Sequence, residues 1–438
     1  MVQKRILCQV LVWILAMCLL LSGCSANVRS ITAARINTDG ELIVIYSDGT
    51  RENLGVVVGK DGNDGQDGQD GQDGQDGQDG SGAVPSATDR VASAAAKGLR
   101  SSVSIVCTYT TQQWWQTSEA YSCGSGVIYW LDKEKGDAFI ITNHHVVYSS
   151  EATTSNKICD DIQVYLYGGE ISGSGIQATY VGGSQNYDIA VLYVENSQIL
   201  RDSDATPVTL ADFNTVSAGT TAIAIGNPEG SGTSVTVGVV SVDSEHITMT
   251  AVDGYTSVSY RVMRVDTPVN AGNSGGGLFD DQGRLIGIVN AKIMDSDVEN
   301  IGYAIPISIA VSVADNIIDH CYKTDCETVM RPYLGVTVQT IASCSEYDAQ
   351  TNRTYIRETV EVIEVTANMP GEKLKVGDVL CTATLSGNDR VYVLDRQHTL
   401  IDLLITARVG DILTLTVLRN DVETVLELEI TEACVSPY

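Results

Sequence analysis

A histidine, an aspartate and a serine stand in this sequence, in that order, with neighbours suited to acyl transfer. Ser274 lies in the run Val269-Asn270-Ala271-Gly272-Asn273-Ser274-Gly275-Gly276-Gly277-Leu278. Glycine lets the backbone take positive φ, so successive N–H groups can converge on one point beside a hydroxyl. A nucleophile flanked by donors aimed at a developing oxyanion is what acyl transfer needs. The hydroxyl also needs a base, and the base needs a carboxylate to fix its tautomer. Upstream, the apolar run Phe139-Ile140-Ile141-Thr142-Asn143 ends at the pair His144-His145. Between the two, Asp188 opens the apolar run Ile189-Ala190-Val191-Leu192-Tyr193-Val194. Gly-Ser-Gly runs are common in flexible loops, so the serine motif gains its weight from these partners.

Side chains about 130 residues apart meet only on a rigid frame. Short apolar runs at 103–106, 126–129, 139–142, 162–167, 222–225, 235–242, 247–252, 258–265 and 285–289 alternate with Gly-rich turns. That pattern predicts a mainly β region of two packed barrels or a sandwich. A cleft between two barrels would bring His145, Asp188 and Ser274 together. Helices are expected over 84–97, where alanines cluster, and over 309–320. A last segment opens with Pro332-Tyr333-Leu334-Gly335-Val336 and continues through Leu374-Lys375-Val376-Gly377-Asp378-Val379-Leu380. With a helix near 395–407 and a strand over 412–419, it reads as a small α+β domain.

The motifs Thr142-Asn143-His144-His145-Val146, Asp188-Ile189-Ala190-Val191-Leu192 and Gly272-Asn273-Ser274-Gly275-Gly276 resemble those of the trypsin-like serine proteases, and more narrowly the HtrA (Deg) family. Ala224-Ile225-Gly226-Asn227-Pro228 and Ile301-Gly302-Tyr303-Ala304-Ile305-Pro306 match two further signatures of that family, so the resemblance covers roughly residues 90–432. It implies a two-barrel trypsin-like protease domain followed by a PDZ-like domain. It implies His145 as general base, because the family's pattern puts the fourth motif residue at the site, with His144 at a variable, solvent-facing position. Neighbours on one strand point to opposite faces, so the histidine pair is no metal site. Asp188 would orient His145, and Ser274 would attack the scissile carbonyl. Gly272 and Ser274 would supply oxyanion N–H groups, with Asn273 shaping that loop. Tyr333, Leu334, Gly335 and Val336 would form a loop that binds the carboxylate of a peptide C-terminus, the peptide adding as a strand. Unfolded protein substrates, with aliphatic residues at the cleaved bond, follow from the resemblance. The stretch Ile288-Val289-Asn290-Ala291 would face the substrate and has no acid to attract lysine or arginine. No cofactor or metal is implied, and no Cys-x-x-Cys pair or His-rich tract argues for zinc.

The N-terminal part reads as export and tethering. Lys4 and Arg5 precede an apolar run from Ile6 to Leu21, the pattern of a signal peptide over residues 1–23. Leu21-Ser22-Gly23-Cys24 resembles a bacterial lipoprotein processing site with lipid on Cys24, which would hold the protein at a membrane outside the cytoplasm. An uncleaved anchor helix is the rival, and a run this short spans a bilayer poorly. Of eleven cysteines, Cys8 and Cys18 fall in the leader and Cys24 takes lipid, leaving eight. An even number in an exported chain suggests disulfides, whose connectivity sequence does not give. Cys107 with Cys123 and Cys321 with Cys326 are the pairs that proximity favours.

Residues 24–58 read as a small β-hairpin unit and 59–83 as a linker of Gly-X-Asp repeats. Glycine at every third position is the collagen pattern, yet the tract is short, lacks proline and would stack aspartates. A charged spacer that extends by self-repulsion is the other reading. Calcium at these aspartates has no ligand-loop spacing behind it. The protease domain is expected over 84–320, a linker over 321–330 and the PDZ-like domain over 331–438. A threefold stalk and the family's habit point to a homotrimer; Trp114-Trp115, in the cysteine-flanked loop 108–122, could equally be a membrane or partner contact. The net charge of −28 argues against nucleic-acid binding by repulsion. A surface scaffold with a silent catalytic centre is the non-enzymatic alternative, against which three intact catalytic residue types speak. An esterase on a nucleophile-elbow fold would carry its serine before the aspartate and histidine, unlike the order here.

Overall fold

The computed structural model describes residues 31–37, 41–56, 87–113, 116–169, 173, 175–212, 215–230, 232–291 and 301–438. The leader, Cys24, the Gly-X-Asp tract and Trp114-Trp115 lie outside the described residues. The chain divides into two compact units, Met1–Ala83 and Val84–Tyr438. In the first, β1 (Ile31–Ile36), β2 (Glu41–Tyr46) and β3 (Arg51–Val56) form an antiparallel sheet in that order. The expected hairpin thus has a third strand, which polar Arg51-Glu52-Asn53 hid from a hydrophobic pattern. Val44 is the buried apolar side chain at its centre. So small a core contributes little stability by itself.

The second unit starts with α1 (Ala87–Leu99), carries the short helices α2 (His144–Val147) and α3 (Gln198–Asp202), and builds two closed six-stranded barrels. The first contains β4 (Ser102–Gln113), β5 (Gln116–Asp132), β6 (Asp137–Thr142), β7 (Asp161–Leu166), β8 (Ile176–Ser184) and β9 (Ile189–Val194), in the order β4-β5-β6-β9-β8-β7. The second contains β10 (Thr221–Gly226), β11 (Ser234–Thr250), β12 (Ser257–Val265), β13 (Gly277–Phe279), β14 (Leu285–Val289) and β15 (Gly302–Pro306), in the order β10-β11-β12-β15-β14-β13. Closure leaves no unpaired edge, and inward apolar residues fill each interior. Ile105, Ile128, Ile140 and Leu192 fill the first; Ala222, Ala224, Leu278 and Ile286 fill the second. Each such Ile or Leu contributes roughly 1.5–3 kcal/mol on burial. Ile141, Ile189, Ile225 and Ile288 face the other way, into a core shared by both barrels. The mainly β, two-barrel expectation therefore describes the fold.

Two details differ from the pattern. Residues 235–242 and 247–252 are not separate strands, because β11 runs through them with register shifts against β12. The 108–122 segment is not a loop, since β4 and β5 stay paired from Ser102↔Val127 out to Gln113↔Gln116. That register also separates the expected Cys107–Cys123 pair. Cys107 lies opposite Ser122, and Cys123 opposite Val106. One residue of offset puts the two thiols on opposite faces, Cys107 buried and Cys123 exposed. Cys159 is the thiol that Cys107 meets. All eight described cysteines are thiols, and the Cys321 and Cys326 sulfurs sit 2.9 Å apart as a hydrogen-bonded pair.

Helix α4 (Ile307–Cys321) buries Ile309, Ala310, Val313, Ala314 and Ile317, a 3.6-residue stripe, against the shared core. The chain then forms a C-terminal α+β domain around Leu334, Val360, Leu380, Leu400 and Leu413. Here β16 (Met330–Pro332) leads to β17 (Val336–Asp348), β18 (Arg353–Val365), β19 (Val379–Leu385), β20 (Tyr392–Val393), β21 (Ile412–Arg419), β22 (Val422–Glu429) and β23 (Val435–Pro437). The sheet order is β17-β18-β19-β21-β22, with β20 on β19, while β16 pairs with β23. Within it, Arg419 grips buried Asp378 through two bonds of 2.7 Å, which holds that carboxyl below the usual carboxylate range. Helix α5 (Gln397–Thr406) packs on α4 and carries Asp402 onto Arg261 and Ser308 of the protease region. Asn316 of α4 donates to the Ile405 carbonyl at 3.0 Å and the Met330 carbonyl at 2.8 Å. Breaking a buried ion pair costs about 3–5 kcal/mol, so these contacts fix how the domain sits on the barrels. Among the described residues no helix is long and apolar enough to cross a membrane.

Candidate active site

His145, Asp188 and Ser274 come together where the two barrels meet, each delivered by the end of a strand. The polar Thr142-Asn143 ends β6, and the chain turns into the single helical turn His144–Val147. His145 stands on that turn with its Nδ1 2.7 Å from Asp188 Oδ2. Its backbone N–H donates to Asp188 Oδ1 at 2.9 Å. Asp188 closes the turn between β8 and β9 at φ 51°, a left-handed position that aspartate tolerates better than most residues. Its backbone carbonyl accepts from Asn143 Nδ2 at 2.8 Å. Burial pushes the Asp188 carboxyl up, but the charge and hydrogen bonds of His145 outweigh it and hold the group below the usual carboxylate range. It is therefore ionised at neutral pH, as the orienting member of such a pair must be.

Asn290, which follows β14 and was expected to face substrate, grips this carboxylate instead. Its Nδ2 donates to Asp188 Oδ2 at 2.8 Å and to Tyr260 Oη at 3.0 Å. Its position just past a barrel strand was the only available signal. The stretch expected to face substrate is mostly inside the wall: Ile288 pairs with both β13 and β15, Val289 pairs with β15, and both are buried. Ala291 donates its N–H to Ser274 Oγ at 3.2 Å. Ser274 Oγ makes no hydrogen bond to His145. Such catalytic contacts often tighten only with substrate bound.

Ser125 is a second residue missed in the sequence, although its setting in Gly124-Ser125-Gly126 marks a close approach of chains. Its N–H donates to the Ser274 carbonyl at 2.8 Å, and its Oγ donates to the Gly272 carbonyl at 2.7 Å. The same Oγ accepts from the Asn227 N–H at 2.9 Å, which gives the Gly226-Asn227-Pro228 motif its place in the site. With Gly272 and Ser274 carbonyls tied back, their loop is fixed from behind. The N–H groups of Gly272 and Ser274 donate to no protein acceptor among the described residues. The Asn273 N–H differs: it is taken by the Asn270 carbonyl at 3.0 Å, so this residue shapes the loop and offers no free amide.

Gly275 sits at φ +83°, where a side chain would drive into the Ser125 carbonyl oxygen and Thr142 Oγ1. Gly275→Ala is expected to lower turnover on the order of a hundredfold while the chain still folds, because the amides beside Ser274 must shift. Steady-state kinetics on the folded variant checks this, and wild-type turnover would contradict it.

His144 is not solvent-facing, as the resemblance implied, but only 4 % exposed. The expectation assumed a strand, whereas a helical turn places both histidines in the protein. Its ring packs on Tyr148 and Tyr180, 5.2 and 6.5 Å between centroids, over Gly183. Tyr333, Leu334 and Gly335 link β16 to β17, and Val336 opens β17.

Residues 124–288, which contain all three residues, match the trypsin-like peptidase domain family. The chain is 31% identical over 309 residues to the serine protease Do-like HtrA of Bacillus subtilis strain 168, covering 68% of this chain and 61% of that protein. It is 33% identical over 303 residues to the serine protease Do-like HtrB of the same organism, covering 68% and 59%. A probable periplasmic serine endoprotease, DegP-like, of Rhizobium meliloti is 33% identical over 248 residues, covering 56% and 42%. The chain thus spans about three fifths of the length of the two Bacillus relatives. Among solved structures, the HtrA-type protease AlgW with tripeptide aligns at a TM-score of 0.49 and 25% identity, covering 81% of this chain and 98% of that one.

Proposed function

We propose that this chain is a trypsin-like serine protease of the HtrA/Deg type, an extracytoplasmic endoprotease of unfolded or damaged proteins, a reading supported by the match of residues 124–288 to the trypsin-like peptidase domain and by the Bacillus relatives. The observation that carries the reading is the 2.7 Å contact of His145 Nδ1 with buried, ionised Asp188, beside Ser274, whose own N–H and that of Gly272 meet no protein acceptor among the described residues. In this reading His145 takes the Ser274 proton as Oγ attacks the scissile carbonyl. The N–H groups of Gly272 and Ser274 receive the oxyanion, and His145 then protonates the leaving amine. Water repeats the cycle on the acyl-enzyme. Lipid on Cys24 would tether the protein to a bacterial membrane, with the Gly-X-Asp tract as spacer or threefold stalk.

The C-terminal domain is read as PDZ-like. Its strand β17 is the edge of the sheet and lies beside α5, an arrangement that supports addition of a peptide strand. The residue before it, Gly335, has φ +71° and no room for a side chain beside Met369, which suits a loop that offers backbone amides. Leu334, in contrast, is buried as an anchor of the domain core. Peptides with an apolar residue and a free C-terminal carboxylate are expected to bind there and raise turnover severalfold, whereas the same peptides amidated leave it unchanged. Casein degradation by wild type and Ser274→Ala, with each peptide, tests both parts. Cleavage that is lost in Ser274→Ala supports the protease, and preferred cleavage after arginine would overturn the aliphatic preference. The Ser274 Oγ contact with Ala291, with no bond to His145, favours one second reading: a catalytically silent peptide-binding scaffold. It predicts no cleavage under any of these conditions.

A further inference from the structure

The turn that carries Asp188 is gripped from the C-terminal side of the molecule. We propose that Arg331 is a positioning residue for catalysis: it holds Tyr187, and through it the Asp188 turn, in the geometry that aligns His145. The proposal rests on the protease reading above for its effect on turnover, but not for its effect on the His145–Asp188 bond.

Five contacts make the clasp. Arg331 Nη1 donates to Tyr187 Oη at 3.0 Å. The Arg331 guanidinium lies over the Tyr438 ring at 4.2 Å and the Tyr333 ring at 5.0 Å. The Tyr187 and Tyr438 rings meet at 5.2 Å. In β8, just before that turn, the Gly183 N–H donates to the Glu327 carbonyl at 3.0 Å. Arg331 and Tyr438 are themselves fixed by the β16–β23 ribbon, in which Arg331 pairs with Ser436. The Tyr333 N–H adds a bond to the Cys434 carbonyl at 2.8 Å.

The chemistry favours a rigid grip. A planar guanidinium can stack on two rings while still donating in its plane, which lysine cannot do. Tyr187 is 5 % exposed, and burial raises its hydroxyl well above the usual range, so it stays a neutral acceptor. Arg331 Nε is buried and has no partner, so the side chain is held by its Nη1 bond and the two rings. Tyr187 is joined directly to Asp188, whose left-handed φ leaves the carboxylate orientation dependent on what anchors the turn. A small rotation there moves the carboxylate away from Nδ1. Misplacement of about 1 Å by a remote change can cost on the order of a hundredfold in rate.

The test uses the full chain, with casein turnover and the far-downfield proton resonance of the His145 Nδ1–H···Asp188 bond as separate readouts. Arg331→Ala and Tyr187→Phe are each expected to lower kcat roughly ten- to a hundredfold with KM little changed. Both should broaden or shift that resonance. Tyr187→Phe removes one hydroxyl and keeps the buried ring, so it guards against a folding defect in Arg331→Ala. Because the two residues act through one bond, the double variant is expected to be no worse than the more severe single variant. Arg331→Lys should restore the resonance only in part. Unchanged kcat and resonance in both single variants, with Ser274→Ala inactive, would overturn the clasp and leave the protease reading standing. Fully additive losses would overturn it as well. A resonance lost in Arg331→Ala, in a protein whose wild type cleaves nothing, would keep the clasp and remove the protease reading.

Discussion

Ser274→Ala is expected to lower casein turnover about a million-fold, with the fold and the affinity for substrate unchanged. The substitution removes one oxygen that is buried and receives a single protein hydrogen bond, from Ala291. Stability therefore changes little, and the whole effect falls on the chemical step. His145→Ala should cost nearly the same, because serine without its base is the same poor nucleophile. The double variant should be no worse than either single one, since the residues act as a unit. Residual turnover would come from the amides of Gly272 and Ser274 acting on bound substrate. Kinetics on all three variants, with circular dichroism as a check on folding, reads the outcome; additive losses would mean that the two residues do not share one mechanism.

Asp188→Asn is expected to reduce turnover about ten-thousandfold at neutral pH while leaving the site in place. An amide keeps the size of the carboxyl group and can still accept from the His145 N–H. It cannot supply the charge that stabilises an imidazolium, and its NH₂ favours the wrong tautomer of His145. The contact from Asn290 Nδ2 sharpens the effect, because this donor approaches the same Oδ2 atom that serves His145. An asparagine at 188 must then satisfy two donors with one oxygen or turn its own donor towards one of them. The pH dependence has a definite sign. The folded-state pKa of Asp188 lies below its unfolded value, so its contribution to stability is complete above about pH 4 and is lost as pH falls through the depressed value. Acid denaturation of Asp188→Asn should lack that limb, which a pH series of thermal melts would record.

Much of the frame was visible in the chain because its signals are local. Ile140-Ile141 and Val191-Leu192 read as strands buried on both faces, and in the barrels Ile140 and Leu192 fill one core while Ile141 and Val191 fill the other. The two-barrel fold follows from such runs and their Gly-rich turns. The placement of His145, Asp188 and Ser274 at strand ends was legible for the same reason. Contacts set by tertiary structure were not. Asn290 reaches Asp188 across 102 positions and Ser125 reaches Gly272 across 147, and nothing in either local pattern announces a partner. His144 was misplaced because one helical turn after β6 replaced the alternation of a strand. Cys107 and Cys123 were misjudged because a hairpin register one residue off reverses the face. Strand β3 escaped because polar residues fill its sequence, and the break expected in β11 was a pair of register shifts. The clasp at Arg331 belongs with these: its residues are scattered from 183 to 438, and only the fold assembles them.

The most direct test of the central claim is labelling of the full chain with a fluorophosphonate, followed by peptide mass spectrometry. One phosphonyl group per chain on Ser274, absent from Ser274→Ala and slowed by orders of magnitude in His145→Ala, is the predicted result. Folded protein that takes no label with or without an apolar C-terminal peptide, or that takes it on another serine, would contradict the assignment of this centre as a serine protease site.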